Sequence, residues 1–402
     1  MRIAINGVGV AGPALAYWLL RGGHEVTLVE ESPVLRTGGY VIDFWGLGYS
    51  VAERMDILDA LRAAGYRVGE VRFVDGRGER TSGFTTDALR ASLGERFTSL
   101  PRGALAEIAY RAVEARVETI FGDSMRAIED RDDAVGVAFE KHAAREFDLV
   151  IGADGLHSRV RELVFGAGNR FERRLGCHVA AFEAEGYRPR DELAYVIHSR
   201  PGRQVSRLAL RGDRTMFLFV FGDEHMEGPE PRDDAQRRAV LKRVFGDMGW
   251  ECPRILHAME SAGDVYFDQV SQIEMGRWSK GRVALVGDAA ACVSLLAGEG
   301  TGLALAEAYV LAGELAAAGG GHADAFRRYE ERLRPFITAK QRSARRFLSS
   351  FMPRTAFGIW FRDQAIKLMA LPRMGDLFLG SALRDDFALP AYGWTRDPAG
   401  AC

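Results

Sequence analysis

The sequence has few cysteines and no excess of charge of either sign, and each shortage excludes a class of protein. Its four cysteines show neither CxxC spacing nor the Cys/His spacing of a zinc site: Cys177, Cys252, Cys292 and Cys402. We therefore expect free thiols in a reducing compartment and no metal site. The 53 basic and 55 acidic residues leave a net charge of −2, which provides no general field for nucleic acid or an anionic membrane.

The sequence also lacks long apolar runs. None reaches the ~18 residues that a membrane-spanning helix needs. Met1 and Arg2 lead directly into an apolar strand, which is not the pattern of a signal peptide. We therefore expect a cytoplasmic protein without a membrane span. At 402 residues the chain is expected to form two domains, on the usual scale of about 100–200 residues each.

The first thirty residues contain a strand, a glycine turn, a helix and a second strand. Residues 1–6 and 24–30 are short apolar runs that predict buried strands, and residues 13–21 predict an apolar helix. The turn supplies three glycines at fingerprint spacing: Gly7, Gly9 and Gly12. This arrangement, with an acid at the end of the second strand, predicts a dinucleotide-binding βαβ unit.

Each part of this unit has a physical reason. Gly7 permits a tight turn, Gly9 lets the backbone approach a pyrophosphate, and Gly12 lets the helix pack close to the strands. The helix N-terminus directs free N–H groups at the phosphates, and Glu30 can accept hydrogen bonds from ribose hydroxyls. Because glycine makes up 46 of 402 residues, an ordinary glycine-rich turn is the alternative.

Two later strands also end in polar or glycine-rich motifs. Residues 148–151 predict a strand that delivers Asp154 at its carboxyl end, where α/β sheets place ligands. Residues 281–286 predict another strand, which ends at Asp288, and the glycines of residues 298–300 open a long helix. Asp288 could bind a ribityl or ribose hydroxyl, so three separate strand ends are expected to share one ligand.

Residues 171–275 are β-rich and predict a mostly antiparallel sheet with one face toward a ligand. Phe217, Phe219 and Phe221 alternate along one strand and so share a face. They predict either a pocket for a flat aromatic molecule or plain core. From residue 323 to the end the pattern is helical, and its large apolar residues predict packing over the body, with membrane-surface contact as the alternative.

These three anchors together resemble the group A flavoprotein monooxygenases, the family that includes p-hydroxybenzoate hydroxylase. Asp154, Gly155, Ser158 and Arg161 match the family's DGxxSxxR pattern, and residues 287–290 match its GDAA pattern. The motifs occur in the family's order, and the resemblance covers about residues 1–345. Within the family the chain is most similar to the tetracycline-destroying flavoenzymes, through the run GVGVAGPALAYWL, the GDAA-to-GEG loop and the apolar tail.

The resemblance implies FAD as the cofactor, with NADH or NADPH as a transient co-substrate. The implied contacts are Gly7, Gly9, Val10, Ala11 and Gly12 for the pyrophosphate, Glu30 for the adenosine ribose, Arg36 and Arg102 for the diphosphate region, Met125 for the adenine, Asp154 for FAD and the passing nicotinamide, Asp288 for the ribityl chain, and Gly298 to Gly300 for the pyrimidine edge of the flavin. No catalytic residue is named, because the flavin supplies the chemistry.

The implied fold is α/β (α+β), a Rossmann-like FAD-binding domain with an interleaved, mostly antiparallel β-sheet substrate domain and C-terminal helices. The expected bounds are residues 1–75, 99–170 and 276–345 for the FAD-binding domain, residues 76–98 and 171–275 for the substrate domain, and residues 346–402 for helices that cap the active site.

The implied activity is hydroxylation of an aromatic or polyketide-like small molecule, such as an antibiotic, with consumption of NAD(P)H and O₂. A flavin-dependent reductase or dehydrogenase on the same scaffold is one alternative, and a non-catalytic flavin- or drug-binding protein is the other. Oligomeric state and the choice between NADH and NADPH stay open.

The sequence departs from the family's usual pattern in one loop. Ser294, Leu295 and Leu296 stand where proline is usual, and Glu299 stands where many members have Gln or Lys. Ala291 also replaces the common His or Tyr. A carboxylate at position 299 would oppose an anionic reduced flavin unless it points to solvent. The departures leave FAD binding expected and bear on reaction rate and substrate class.

Overall fold

The computed structural model describes residues 1–36, 38–87, 90, 95–369 and 385–394. The strands in these ranges are β1 Arg2–Asn6, β2 Glu25–Glu30, β3 Val41–Trp45, β4 Glu70–Val74, β5 Arg80–Thr85, β6 Phe97–Pro101, β7 Glu118–Phe121, β8 Met125–Asp130, β9 Val135–Phe139, β10 Arg145–Phe147, β11 Leu149–Gly152, β12 Glu172–Glu185, β13 Ala194–Arg200, β14 Arg203–Ala209, β15 Arg214–Gly222, β16 Tyr266–Ile273, β17 Ser279–Lys280 and β18 Val283–Leu285. The helices are α1 Ala11–Arg21, α2 Gly46–Arg54, α3 Leu58–Ala64, α4 Arg102–Arg111, α5 Arg159–Phe165, α6 Asp234–Phe245, α7 Cys252–Glu260, α8 Asp288–Ala291, α9 Gly300–Ala317, α10 His322–Phe351 and α11 Ala356–Met369.

A six-stranded sheet gathers the three chain segments that the motifs singled out. Its order is β17-β18-β11-β1-β2-β7, and all neighbours except β17 and β18 are parallel. Its central strands are apolar and buried, as parallel strands are when helices cover the sheet, and α1 packs against both the sheet and α9. The prediction of a Rossmann-like domain built from distant parts of the chain is confirmed.

A seven-stranded sheet forms the second layer of the molecule, in the order β16-β12-β15-β14-β13-β4-β5. Its neighbours are antiparallel except β13 and β4, so the prediction of a mostly antiparallel sheet is confirmed. Strand β4 pairs here, although the predicted boundary placed residues up to 75 in the first domain. The pairing favours a boundary before residue 70. Helix α10 likewise runs unbroken through the boundary predicted at residue 345.

The two faces of β15 have different partners. Phe217, Phe219 and Phe221 are fully buried against α6 and α7, so the pocket interpretation of these residues is wrong and the core alternative is confirmed. Leu218 and Val220 lie on the opposite face, in a cluster with residues of β12 and β16. Since side chains alternate along a strand, the residues between the phenylalanines are the ones that can face a ligand.

The C-terminal part departs from an all-helical prediction. Helix α11 packs on β5 and β13, with Ile366 buried beside Phe73, but residues 385–394 contain no helix. Several large apolar side chains of this region are half or more exposed: Phe347, Phe357, Trp360, Phe361 and Leu368. The prediction that such residues pack over the body is therefore wrong for these five, and Leu371, Leu377 and Phe378 lie outside the described residues. None of the helices in the described ranges is long and apolar enough to cross a bilayer.

Candidate active site

The motif-bearing strand ends meet at one edge of the six-stranded sheet. Strands β18, β11, β1 and β2 are consecutive neighbours and parallel, so their carboxyl ends lie side by side. A Cβ on Gly7 would lie 2.5 Å from the Ala153 carbonyl oxygen, and one on Gly287 would lie 3.1 Å from the Ala11 Cβ. The glycine turn, Asp154 and Asp288 are thus brought together, at the place where α/β sheets bind ligands.

The three glycines of the first turn have different surroundings. Gly7 has φ +108°, and a Cβ on Gly12 would overlap the Gly7 carbonyl, so both are required by the local fold. A Cβ on Gly9 would meet no described atom within 4 Å. No described side chain caps α1, which starts beside Val10 and Ala11. Open space in front of uncapped N–H groups fits a bound pyrophosphate.

Glu30 lies against this turn at the end of β2. Its Oε2 accepts the N–H of Val8 at 2.9 Å, and its Oε1 accepts the N–H of Ser32 at 3.0 Å. Arg36 Nη2 is 3.4 Å from Glu30 Oε1, while 68% of the Arg36 side chain is exposed. The structure therefore places Arg36 beside the predicted ribose ligand, as a mostly solvated cation.

Met125 lies close in the chain to residues that contact Glu30, at the same end of the site. It is fully buried at the start of β8, and the N–H of nearby Asp123 donates to the Glu30 carbonyl at 3.1 Å. Its predicted contact with adenine would have to come from the main chain, because the side chain belongs to the core.

The carboxylate of Asp154 is engaged inside the protein. It accepts hydrogen bonds of 2.6–3.0 Å from the Asn6 amide, the Ser158 hydroxyl and the N–H groups of Arg159 and Val160. Buried Arg161, on α5, adds to this set of hydrogen bonds, because its Nη1 donates to the Ala289 carbonyl at 3.0 Å. The DGxxSxxR motif thus locks the ends of β1, β11 and β18 together, and a ligand contact of Asp154 stays a prediction.

Arg102 and Asp288 lie at the other end of the site, next to two tyrosines that the sequence analysis did not single out. The N–H of Arg102 donates to the Tyr40 carbonyl at 3.0 Å, and the Tyr40 and Tyr266 rings are 6.1 Å apart. Burial disfavours the guanidinium, but Tyr40, Asp288 and Tyr266 together raise the pKa of Arg102. Burial also raises the pKa of both tyrosines, so their hydroxyls stay protonated.

A surface histidine connects to this tyrosine pair. The Tyr266 hydroxyl donates to Asp268 Oδ2 at 3.3 Å, and His157 Nε2 lies 3.3 Å from the same carboxylate. The hydrogen bond to Asp268 raises the pKa of His157. Strand β16 carries Tyr266 and Asp268, and its sequence has no motif, so only the folded sheet reveals them.

An apolar cluster, the apolar wall, packs against Tyr40 and Tyr266 at this polar end. It combines one face of the seven-stranded sheet with the loop before α9 and the end of α10: Val179, Ala181, Leu218, Val220, Val270, Leu295, Leu296, Leu348, Phe351 and Met352. Leu295 and Leu296, two of the departures noted in the sequence, therefore belong to the wall. An apolar surface with a few convergent polar groups is typical of a small-molecule site.

Glu307, on α9, accepts a hydrogen bond from Gly287 just after the end of β18. Its Oε2 accepts the N–H of Gly287 at 2.7 Å and the hydroxyl of Tyr329 at 3.2 Å. Complete burial raises the pKa of Glu307 to about 8. In the described part of the chain no group of three or more His, Cys, Asp or Glu side chains could hold a metal ion.

The comparison with known families matches residues 1–344 to the FAD binding domain family. An uncharacterised protein of Mycobacterium tuberculosis is 41% identical over 343 residues, which cover 84% of this chain and 91% of that protein. A flavin-dependent monooxygenase of an unknown prokaryotic organism is 35% identical over 370 residues, which cover 90% of this chain and 89% of the relative.

Among solved structures, the chain resembles the crystal structure of the tetracycline destructase Tet(51). The TM-score is 0.82 at 32% identity, with 97% of this chain and 99% of that chain covered. The likeness therefore extends through both sheets and into the C-terminal region.

Proposed function

Because this chain belongs to the FAD binding domain family and is an FAD-dependent monooxygenase, we propose that its substrate is a flat, largely apolar molecule of aromatic or polyketide type. The observation that carries this proposal is the apolar wall, which packs against Tyr40 and Tyr266, the two tyrosines next to Arg102. A pocket of this composition favours ring systems that carry a few oxygen atoms.

Bound FAD, reduced by NADH or NADPH, supplies the redox chemistry and the transfer of one atom of O₂. We propose that the chain holds it through the residues named from the sequence: Gly7, Gly9, Val10, Ala11, Gly12, Glu30, Arg36, Arg102, Met125, Asp154, Asp288, Gly298 and Gly300. The open space at Gly9 and the uncapped start of α1 support this assignment at the diphosphate. A transient nicotinamide and a cytoplasmic location stay predictions.

The substrate's polar groups would meet the tyrosine pair and Arg102. The protonated Tyr40 hydroxyl can donate a hydrogen bond to a substrate carbonyl or phenolate, and the Tyr266 hydroxyl, which donates to Asp268, can accept one. A guanidinium stabilises an oxygen anion through charge-assisted hydrogen bonds. Leu295 and Leu296 would exclude water from the apolar side of the ring system. The likeness to Tet(51) supports a tetracycline-like antibiotic within this class.

The test is a substrate screen on purified protein loaded with FAD. Tetracycline and a panel of flat phenols are added with NADH or NADPH while oxygen uptake is recorded, and products formed under ¹⁸O₂ are analysed by mass spectrometry. We expect substrate-dependent oxygen uptake and a product that contains one labelled oxygen atom. Asp288→Ala serves as the site variant, and Asp133→Ala, at an exposed position, is its matched control.

Other outcomes would contradict the proposal. Nicotinamide oxidation that no compound accelerates, with hydrogen peroxide as the product, would indicate a reductase on this scaffold. Absence of flavin reduction would indicate a binding protein. Turnover confined to small, strongly polar compounds would refute the substrate class while leaving the monooxygenase assignment intact.

A further inference from the structure

A largely buried lysine joins three distant segments of the chain next to the second glycine motif. Lys340 Nζ on α10 lies 3.1 Å from Glu299 Oε1, at the start of α9, and 2.8 Å from Asp385 Oδ1. The exposed fractions of the three side chains are only 12%, 19% and 13%. We call this group the Lys340 clasp. The sequence left open whether the Glu299 carboxylate points to solvent. In the clasp it does not, and Lys340 supplies its counter-charge.

Asp385 also holds the start of another helix. Its Oδ2 accepts the N–H of Leu47 at 2.8 Å, in the first turn of α2. Gly46, with φ +64°, leaves the room for this carboxylate, since a Cβ there would overlap Asp385 Oδ2. The clasp therefore fixes the position of α2 relative to the glycines of residues 298–300.

A second contact reinforces the clasp. The rings of Phe336 on α10 and Phe387 stack with centroids 5.4 Å apart, and Lys340 Nζ lies 5.6 Å from the Phe336 centroid. Residues 385–387 are thus held to α10 by an ion pair and by an aromatic contact together. An exposed surface pair would contribute little, but charges as buried as these depend strongly on each other.

The clasp borders a small, partly open cleft. Asp43, Trp45 and Gly48 line one side, and Gly298 and Glu299 line the other. The main chain of residues 298–300 is the part of the molecule assigned to the pyrimidine edge of the flavin. Because Lys340 holds Glu299, it affects the position of the main-chain segment that a flavin would contact.

The charges within the clasp are unequal. One ammonium faces two carboxylates, which raise the pKa of Lys340 in spite of its burial. Burial, together with the charge of Asp385, raises the pKa of Glu299. Removal of the lysine would leave two carboxylates at this wall without a cation.

We propose that Lys340 is a positioning residue for the cofactor, which clamps the glycine segment 298–300 and the C-terminal residues 385–387 onto one wall of the flavin site and balances the charge of Glu299 there. This inference rests on the proposed FAD site. It makes residues 385–387 part of the cofactor site. Helix α11, by contrast, packs on the seven-stranded sheet.

The experiment compares FAD-loaded variants by flavin dissociation constant, visible spectrum and reduction potential. Lys340→Met is expected to weaken FAD binding about tenfold, the equivalent of about 1.4 kcal/mol. It should also make the potential more negative, because uncompensated carboxylates oppose a reduced, anionic flavin. Glu299→Gln should move the potential in the positive direction, and Lys340→Arg should restore most of the affinity. Lys367→Met, which removes an exposed lysine of α11, is the matched control.

Opposite shifts of the potential would support the clasp, because loss of fold stability alone would not produce opposite signs. An unchanged dissociation constant and potential in Lys340→Met, with flavin-loaded wild type, would overturn the clasp and leave the proposed function standing. Wild-type protein that binds no FAD would overturn both. If Lys340→Met does not fold, Asp385→Asn is expected to weaken FAD binding, and wild-type affinity in that variant would overturn the proposal.

Discussion

Gly9 differs from its two partner glycines in what surrounds it. Side chains at Gly7 or Gly12 would collide with the protein's own backbone, whereas a side chain at Gly9 would project into open space. Gly7 and Gly12 are therefore required by the fold, whereas Gly9 leaves room for whatever occupies that space. This distinction lets a substitution test the cofactor site without destroying the domain.

Gly9→Val is expected to fold and to purify without colour, because a branched side chain would occupy the approach of the pyrophosphate. The ratio of visible flavin absorption to protein absorption measures the effect, and the thermal midpoint confirms folding. Gly263→Val, at an exposed position with equally open surroundings, should stay yellow. Stoichiometric flavin in the Gly9 variant would remove this turn from the cofactor site.

Glu307 predicts a pH dependence of stability. Its pKa is raised from 4.5 to about 8 by burial, so between these values the folded state holds a proton that the unfolded state has lost. The free energy of unfolding must then fall as pH rises through that window, by at most about 1.4 kcal/mol per pH unit from this group.

Glu307→Gln removes this titration and keeps an acceptor for the Gly287 N–H. Relative to wild type, the variant should gain stability steadily from pH 5 to pH 8 in urea unfolding measurements. Glu331→Gln, a mostly exposed residue of α10, is the control and should show no such trend. Parallel pH profiles for wild type and Glu307→Gln would show that the buried carboxyl does not titrate in this range.

At the scale of elements, β15 shows how one strand serves two purposes. Its odd-numbered phenylalanines fill the core under α6 and α7, and its even-numbered residues form part of the apolar wall. The alternating pattern predicted the shared face, but both faces are apolar, so the pattern could not tell which one a ligand meets.

Substitutions on the two faces of β15 should have separable effects. Phe219→Ala is expected to cost about 3–5 kcal/mol of stability, because it opens a cavity in a closed core. Leu218→Ala borders the apolar wall and should raise KM for the substrate with a smaller loss of stability. Urea unfolding and steady-state kinetics on the same preparations test this. A larger stability loss in Leu218→Ala than in Phe219→Ala would contradict the assignment of faces.

Helix patterns were predictive where the helix was long and apolar and failed at breaks. The prediction of α1 was within two residues of its start. Residues 49–64 also have the apolar spacing of a single helix, but they divide between α2 and α3. Asp56, with φ +60°, lies between them, and no glycine or proline marks that break. Helix α11 exposes Phe357, Trp360 and Phe361, so its apolar content did not indicate burial.

At the scale of the molecule, residues 385–394 tie the chain's end to the six-stranded-sheet domain. Tyr392 packs onto Gly313 of α9 and donates to Glu314 Oε1 at 2.7 Å, while Trp394 lies 5.4 Å from the Trp18 ring. The Tyr309 hydroxyl donates to the Pro390 carbonyl at 2.7 Å. These contacts lie on the same segment as the Lys340 clasp.

The Gly313–Tyr392 contact can be tested by a double-mutant cycle. Alanine is about 1 kcal/mol better than glycine inside a helix, but a Cβ on Gly313 would overlap the Tyr392 ring. Gly313→Ala should therefore destabilise the wild type and become neutral or stabilising in a Tyr392→Ala background. Equal effects in both backgrounds, measured by urea unfolding, would show that the segment does not depend on this contact.

The sequence by itself determined the parts that act locally. The glycine spacing, the buried parallel strands and the acids at strand ends follow from turn geometry and short-range hydrophobic pattern. The family resemblance that these motifs carry led correctly to an FAD-dependent monooxygenase. Tertiary structure alone decided which side chains meet. Lys340 reaches Glu299 and Asp385, each more than 40 residues away in the chain, and Tyr266 reaches Tyr40, 226 residues before it, only after the strands and helices have packed. Such meetings depend on sheet order and helix placement, and no local periodicity encodes them.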